Sequence, residues 1–225
     1  MEVKSTFLNG DLTETVFVKR PPGFIVGKGD KVLKLRKALY GLRQALRAWN
    51  SKLDKELLAL GFVRSKLEHV VYRRSNNKSF LLVGVYGDDL VISGPDVRDI
   101  MKFKQEMMRK FSMSDLGLLS YYLGIEVKQE AGQIMLSQNS YAKKILESAG
   151  MINCNPCATP MESRLKLYKN KDGDIVVEPT AYRSIIGSLR YIVNTRPDMA
   201  FAVGVVSRYM EAPNKDHWAA IKHVL

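Results

Sequence analysis

Two adjacent acidic residues, Asp88 and Asp89, are the side chains of this chain that are best suited to chemistry. They follow Tyr86-Gly87 and lie between two apolar stretches, residues 80–85 and 90–93, which are rich in β-branched and large side chains. Such stretches are typical of strands, and Gly-Asp is a favoured pair for a two-residue hairpin turn. Mg²⁺ typically takes one or two protein carboxylates and completes its shell with water and substrate phosphates. The pattern therefore indicates a metal site suited to phosphoryl transfer, and the alternative is a solvated hairpin tip.

A polymerase-type metal site needs a third carboxylate on a neighbouring strand, because two metal ions must bridge the attacking and leaving oxygens. Glu2 is the best candidate for that third carboxylate. We therefore expect Glu2 to lie beside the diacid in an antiparallel sheet.

The elements that must position these acids can be predicted from periodicity and turn signals. Strands are predicted at residues 16–18, 70–72, 80–86, 118–127 and 133–136. Helices are predicted at residues 44–60, 97–111, 141–149, 180–194, 198–210 and 214–225, and Asp96 is the expected N-cap of the second. Non-regular segments are predicted at residues 20–31, 75–78 and 162–178. Antiparallel hairpins with helices on one face predict an α+β sheet domain, and a helical segment follows it.

Composition sets limits on the class of protein. The chain has 225 residues, enough for one or two domains with their own cores, and its 46% hydrophobic content argues against disorder. The net charge of +12, from 35 basic and 23 acidic residues, favours a polyanionic partner but does not separate DNA from RNA. The alternative explanation of this charge is ordinary solubility.

The sequence also bears on compartment. The longest apolar stretches fall far short of the roughly 20 residues that a membrane helix needs, and no secretory signal opens the chain. We expect a soluble intracellular protein with no membrane partner, and both a cytoplasmic and a nuclear location remain open. Cys154 and Cys157 have the C-x-x-C spacing of some zinc and redox sites, but two further zinc ligands are lacking. We interpret both cysteines, together with His69 and His217, as structural.

The segment Met1-Glu2-Val3-Lys4-Ser5-Thr6-Phe7-Leu8-Asn9-Gly10 resembles the first catalytic motif of copia-type retrotransposon reverse transcriptases. Further motifs of that family follow in family order and cover essentially the whole chain. They are Pro21-Pro22-Gly23-Phe24, Leu39-Tyr40-Gly41-Leu42-Arg43-Gln44-Ala45, Arg47-Ala48-Trp49, Tyr86-Gly87-Asp88-Asp89, Asp115-Leu116-Gly117, Tyr122-Leu123-Gly124-Ile125-Glu126-Val127, Tyr182-Arg183-Ser184, Gly187-Ser188-Leu189, Thr195-Arg196-Pro197-Asp198 and His217-Trp218.

The resemblance implies an RNA-directed DNA polymerase, a nucleotidyltransferase in which a primer 3′-hydroxyl attacks the α-phosphate of a deoxynucleotide with two Mg²⁺ ions. Its partners would be an RNA or DNA template with a DNA primer. It further implies a polymerase palm over residues 1–136 and a thumb with the start of a connection segment over residues 137–225. On this view the chain is a fragment of a pol polyprotein, which lacks the upstream fingers and is truncated before ribonuclease H.

The resemblance also assigns roles to particular residues. It makes Glu2, Asp88 and Asp89 the metal-binding catalytic triad, with Asp88 as the direct ligand of the diacid. The nucleotide and template site would include Phe7, Gly41, Gln44 and Tyr86, and the ring of Phe7 would disfavour a sugar 2′-hydroxyl. The primer grip would be Leu123, Gly124 and Ile125. The alternatives that the residues leave open are a core position for Phe7, a solvent-facing Gln44, and ordinary strand patterning at Leu123 and Ile125.

Three departures from the family pattern bear on activity. Glu2 stands where the family has Asp, and its extra methylene moves the carboxylate by roughly 1.5 Å. Leu46 replaces a usual Pro, and Gly87 stands where Val is common. We expect no processive synthesis by this chain alone. A non-catalytic nucleic-acid-binding remnant and a decayed retroelement product stay open as alternatives, as does the oligomeric state.

Overall fold

The computed structural model describes residues 1–24, 31–76, 79–169 and 175–225, and it divides the chain into two units, Met1–Leu118 and Leu119–Leu225. Parts of three predicted non-regular segments lie outside the described residues, namely residues 25–30, 77–78 and 170–174. The boundary between the two compact units follows Leu118. The expected boundary between palm and thumb, after Leu136, concerns their roles in a polymerase and stays a prediction.

The first unit contains eight strands and two α-helices among its described residues. They are β1 (Glu2–Val3), β2 (Asp11–Val18), β3 (Leu33–Lys37), α1 (Ala45–Ala59), β4 (Val63–Arg64), β5 (Val71–Ser75), β6 (Phe80–Tyr86), β7 (Asp89–Ser93), α2 (Val97–Lys110) and β8 (Met113–Ser114). Six of these strands form an antiparallel sheet in the order β4-β5-β6-β7-β1-β8. The strands β2 and β3 pair separately as a two-stranded ribbon, and a 3₁₀ turn at Thr6–Asn9 precedes them.

The core of the first unit lies between the six-stranded sheet and both helices. Alternate residues of β6, Leu81, Val83 and Val85, are buried, as expected for a strand with one face covered. They belong to one apolar cluster with Trp49 of α1 and Phe103 of α2. Both helices therefore pack against this face of β6. The predicted α+β arrangement of an antiparallel sheet with helices is confirmed.

The second unit begins with a small sheet and continues as helices. Its elements are β9 (Tyr121–Tyr122), β10 (Ile125–Glu130), β11 (Gln133–Ser137), α3 (Asn139–Ser148), α4 (Pro179–Ile192), α5 (Ala200–Val206) and α6 (Lys215–Val224), with 3₁₀ turns at Pro197–Met199 and Ser207–Tyr209. The three strands pair antiparallel in the order β11-β10-β9. Residues of all four helices, among them Ile145, Tyr182, Val203 and Ile221, form the apolar core.

His217, Cys154 and Cys157 of the second unit were predicted to be structural residues. His217 is fully buried, where its Nδ1 accepts a hydrogen bond from the Asn214 backbone at 3.0 Å and its ring stacks on Tyr209. These contacts fit the structural role predicted for His217. Cys154 and Cys157 are free and exposed.

Within the described ranges, the helices are all too short or too polar to cross a membrane.

Two predicted elements of the second unit are wrong in detail. The segment at residues 118–127 is not one strand, because a tight turn at Leu123-Gly124 separates β9 from β10. Residues 198–210 are not one helix, since a seven-residue α-helix is flanked there by 3₁₀ turns. In the first unit, the short strands β3, β4 and β8 were not predicted.

Candidate active site

The diacid lies at the tip of the predicted hairpin. Tyr86 and Asp89 are cross-strand partners at the end of β6 and β7, which leaves Gly87 and Asp88 as a two-residue turn. Gly87 has a φ of 59°, a left-handed conformation that glycine adopts without steric cost. A valine at this position would be strained, so the glycine in this chain suits the observed turn. The hairpin and its turn confirm the geometry expected from the sequence.

Glu2 lies beside the diacid, as predicted. Strand β1 runs antiparallel to β7, with Glu2 directly opposite Asp89. The Val3 amide donates to the carbonyl of Asp88 at 2.9 Å, and the Leu90 amide donates to the carbonyl of Met1 at 2.8 Å. Backbone hydrogen bonds therefore hold this segment against β1 on both sides of Asp89.

The three carboxylates form no ion pair or side-chain hydrogen bond in the described part of the chain. Glu2 and Asp88 are exposed and Asp89 is half-buried, and none of their side chains forms a hydrogen bond or ion pair with the described residues. Like charges that face each other across two strands are destabilising. A cation bound at this site would relieve that repulsion.

The donor chemistry fits Mg²⁺. Within the described residues, no three His, Cys, Asp or Glu side chains are already grouped closely enough to hold a metal ion. Mg²⁺ usually binds through one or two carboxylates and keeps several waters, so a pair of carboxylates is enough for a single ion. The group of three carboxylates expected for two ions is not already formed within the described residues. The opposed pair Glu2 and Asp89, with Asp88 in the adjoining turn, supplies hard oxygen donors of the right kind.

Trp49 supports the turn from helix α1, a role that the sequence did not reveal. Its side chain is fully buried, and its indole Nε1–H donates to the Gly87 carbonyl at 2.8 Å. Its ring also meets Phe111 edge to face, with centroids 5.3 Å apart. A buried tryptophan usually finds an acceptor for its N–H, so a partner could be expected, but the periodicity of α1 could not say which one.

Phe7 lies in the 3₁₀ turn that follows β1. It is half-buried, packs against the core of the first unit and meets Tyr40 edge to face at a centroid distance of 4.6 Å. The alternative of a core position is thus partly met, because Phe7 packs against the core but is not fully buried. Next to this turn, Gly10 lies so close to α1 that an added Cβ would be 2.7 Å from the Trp49 nitrogen.

The other predicted nucleotide-site residues lie around the start of α1 and the end of β6. Gly41 is exposed with a φ of 89°, and Gln44 is half-buried immediately before α1. The backbone oxygen of Gln44 accepts from the Ala48 amide at 3.0 Å. Tyr86 is 59% exposed. Helix α1 thus begins directly after Gln44, and it also contains Trp49, whose indole donates to the diacid turn.

The predicted primer-grip residues form a hairpin in the second unit. Leu123 and Gly124 both have positive φ values, 51° and 85°, and connect the cross-strand pair Tyr122 and Ile125. Two positive φ values are the signature of a type I′ turn. The Tyr191 hydroxyl donates to the Leu123 carbonyl and braces this turn from α4.

Comparison with known proteins identifies the class. The profile of the reverse transcriptase (RNA-dependent DNA polymerase) family matches residues 1–163. The chain belongs to this family.

Individual relatives confirm the copia-type resemblance. Over the whole chain, identity is 39% with the retrovirus-related Pol polyprotein from transposon RE2 of Arabidopsis thaliana and 39% with that from transposon TNT 1-94 of Nicotiana tabacum. It is 33% with a putative transposon Ty5-1 protein of Saccharomyces cerevisiae. The chain spans only 16% and 18% of the two plant polyproteins, but 74% of the yeast protein. No solved structure matches the chain.

Proposed function

We propose that this chain carries the polymerase part of a copia-type reverse transcriptase. The reaction would be transfer of a deoxynucleotide to the 3′ end of a DNA primer, directed by an RNA or DNA template. One observation carries the proposal: in a chain of the reverse transcriptase family, Glu2 lies opposite Asp89, and Asp88 lies in the adjoining turn. None of the three carboxylates is engaged in an ion pair among the described residues.

The fold supports a division of labour. The six-stranded sheet that presents the diacid, covered by α1 and α2, would act as the palm. The helical part of the chain would act as thumb and connection, with the functional boundary expected after Leu136. This assignment follows from the family, because sheet and helices alone do not define a polymerase.

Each residue has a task in this proposal. Glu2, Asp88 and Asp89 would hold Mg²⁺, which when bound neutralises phosphate charge and favours ionisation of the primer hydroxyl. The bond from Trp49 to Gly87 keeps the turn in place, so that the carboxylates meet the incoming phosphates in a fixed geometry. Phe7 would lie under the sugar, where a rigid ring leaves no room for a 2′-hydroxyl.

Three further sets of residues would position the substrates. Gly41, with no side chain, and Gln44 would pack against the incoming nucleotide and template. Tyr86, exposed beside the diacid, would belong to the same nucleotide and template site. The turn at Leu123-Gly124 and the adjoining Ile125 would hold the primer end.

The test is Mg²⁺-dependent incorporation of a single deoxynucleotide on a primer–template duplex. Asp88→Asn and Asp89→Asn should each reduce the rate by at least about a hundredfold, since a misplaced reacting group already costs about that much. Glu211→Gln, an exposed carboxylate of the second unit, is the control and should leave the rate unchanged. Incorporation that survives Asp89→Asn would refute the proposed site.

Glu2 favours a second candidate function, a non-catalytic protein that binds nucleic acid. Its longer side chain displaces one ligand by roughly 1.5 Å relative to Asp, while the charge of +12 is unaffected. If the polymerase proposal holds, Glu2→Asp should raise the incorporation rate. If both forms bind duplex but neither incorporates a nucleotide, the second candidate function is correct.

A further inference from the structure

The ribbon of β2 and β3 has one apolar face and one polar face. Val16 pairs with Leu35 and is half-buried with it, whereas Phe17 pairs with Lys34 and is exposed with it. Because side chains alternate along a strand, Arg36 lies on the same face as Lys34. This outward face of the ribbon, defined by Phe17, Lys34 and Arg36, therefore combines an aromatic ring with two cations.

The members of the outward face are not engaged elsewhere. Phe17 is 58% exposed, and it makes no ring contact with the described residues. Lys34 and Arg36 form no ion pair or hydrogen bond within the described ranges. Of the ribbon's two acidic residues, Glu14 is paired with Arg47, and Asp11 lies opposite Lys37, which is on the other face from Lys34 and Arg36. The positive charge of Lys34 and Arg36 is thus not neutralised on this face. The exposed ring of Phe17 beside them does not contribute to solubility.

We propose that the outward face of the ribbon binds a single-stranded segment of template RNA, with Phe17 stacked on one base and with Lys34 and Arg36 on the flanking phosphates. An aromatic platform beside basic side chains is the usual design for binding single strands without sequence preference. Lys34 and Arg36 are two residues apart, about 6.6 Å along the strand, so they can contact neighbouring phosphates of an extended chain. The choice of RNA rests on the proposed function.

A single strand fits this face better than a duplex. Stacking on Phe17 requires a base that is free of its own neighbours, and bases inside a helix are already stacked. The outward face also runs along the paired strands β2 and β3, so an extended nucleic-acid chain can lie along its length.

The experiment measures binding of the full chain to an unstructured, labelled RNA of about 10 nucleotides by fluorescence anisotropy, without metal or nucleotide. Phe17→Ala should raise the Kd at least about fivefold, while Phe17→Tyr should preserve it. Phe201→Ala removes an even more exposed ring from the second unit and serves as the matched control.

The charge contribution is measured by salt titration of the same complex. Replacing Lys34 and Arg36 together by Ala should reduce the slope of log K against log salt by about 1.4, because each phosphate contact contributes about 0.7 for a single strand. Replacing Lys143 and Lys144, two exposed cations of α3, removes the same charge and should leave the slope unchanged.

Three results would overturn this inference. They are an unchanged Kd in Phe17→Ala, an equal effect of this variant on double-stranded RNA, and tighter binding of single-stranded DNA than of RNA. Because this assay contains no reaction, its failure is separate from failure of nucleotide incorporation, which tests the proposed polymerase site.

Discussion

The bond between Trp49 and Gly87 connects the core of the first unit to its candidate active site. The indole is fully buried and donates at 2.8 Å to a carbonyl of the turn that carries Asp88. Removal of one partner from such a bond leaves a polar group without its hydrogen bond, which costs about 1–3 kcal/mol.

Trp49→Phe should therefore lower the free energy of unfolding by about 1–3 kcal/mol and also slow nucleotide incorporation, because the turn loses its support. Denaturant unfolding and the single-nucleotide assay measure the two effects. Trp218→Phe changes the half-buried tryptophan of the second unit and should leave incorporation at the wild-type rate. Wild-type stability and wild-type incorporation in Trp49→Phe would show that the indole does not support the turn.

The sequence predicted where the carboxylates lie, but it did not predict the hydrogen bond that supports their turn. Paired acids in a Gly-Asp turn and an acid in a strand-like segment are local signals, and the structure brings Glu2 opposite Asp89. The bond from Trp49 connects residues 38 positions apart, and nothing in the helical periodicity of α1 specifies its partner. Residue types therefore indicate chemistry, whereas supporting contacts depend on the tertiary fold.

Gly10 determines how closely the segment after β1 approaches helix α1. An added Cβ would lie 2.7 Å from the Trp49 nitrogen and 2.8 Å from the Ala48 carbonyl carbon, which are backbone atoms that cannot rotate away. Gly10→Ala should therefore destabilise the protein by about 1–3 kcal/mol, as overpacking does in cores.

Thermal unfolding measures this effect. Gly84→Ala is the matched control, because a Cβ at Gly84 meets no atom within 4 Å and its φ is not positive. If both variants melt at the same temperature, close packing of Gly10 on α1 is not what stabilises this junction.

Glu56 connects the two helices that cover the sheet. Its Oε2 accepts from Lys110 of α2 at 2.6 Å and its Oε1 accepts from Lys52 at 2.9 Å. Hydrogen bonds from Lys110 and Lys52 lower the pKa of Glu56. A carboxyl whose pKa is lower in the folded state stabilises the protein above its unfolded pKa, and this contribution is lost as pH falls through the folded pKa.

Glu56→Gln should therefore reduce stability at pH 7, by no more than about 1 kcal/mol for a partly solvated pair. The difference from wild type should vanish in acid, below the lowered pKa of Glu56. Denaturant midpoints as a function of pH measure it, with Glu147→Gln on α3 as an exposed control. A difference that is independent of pH would mean that packing, and not charge, is lost in Glu56→Gln.

Prediction of the elements succeeded where a pattern was long and local. The helix at Val97–Lys110 was predicted with its N-cap, and Asp96 indeed accepts from the Arg98 amide at 2.8 Å. The segment at 118–127 was predicted as one strand because its apolar residues conceal a turn in which Leu123 has a positive φ. Two-residue strands such as β4 and β8 have no periodicity to detect, since only their partners define them.

The net charge of +12 should govern association of the chain with nucleic acid. We expect binding of primer–template duplexes with little sequence preference, and affinity should fall steeply between about 50 and 200 mM salt when several phosphates are contacted. Anisotropy titrations over this range measure the slope. A flat response would show that the excess charge serves solubility alone.

Strand β1 has a consequence for when the candidate active site forms during folding. It has two residues, yet it lies inside the sheet between β7 and β8. The amino group of Met1, the residue before it, donates to the carbonyl of Leu90, 89 positions away in the chain. Such a distant pairing carries a large loop-closure entropy and is slow to form. The hairpin of β6 and β7 can close early, but Glu2 joins it only when this pairing is made. The three carboxylates should therefore come together late in refolding, so a chain with most of its secondary structure would still lack the candidate site.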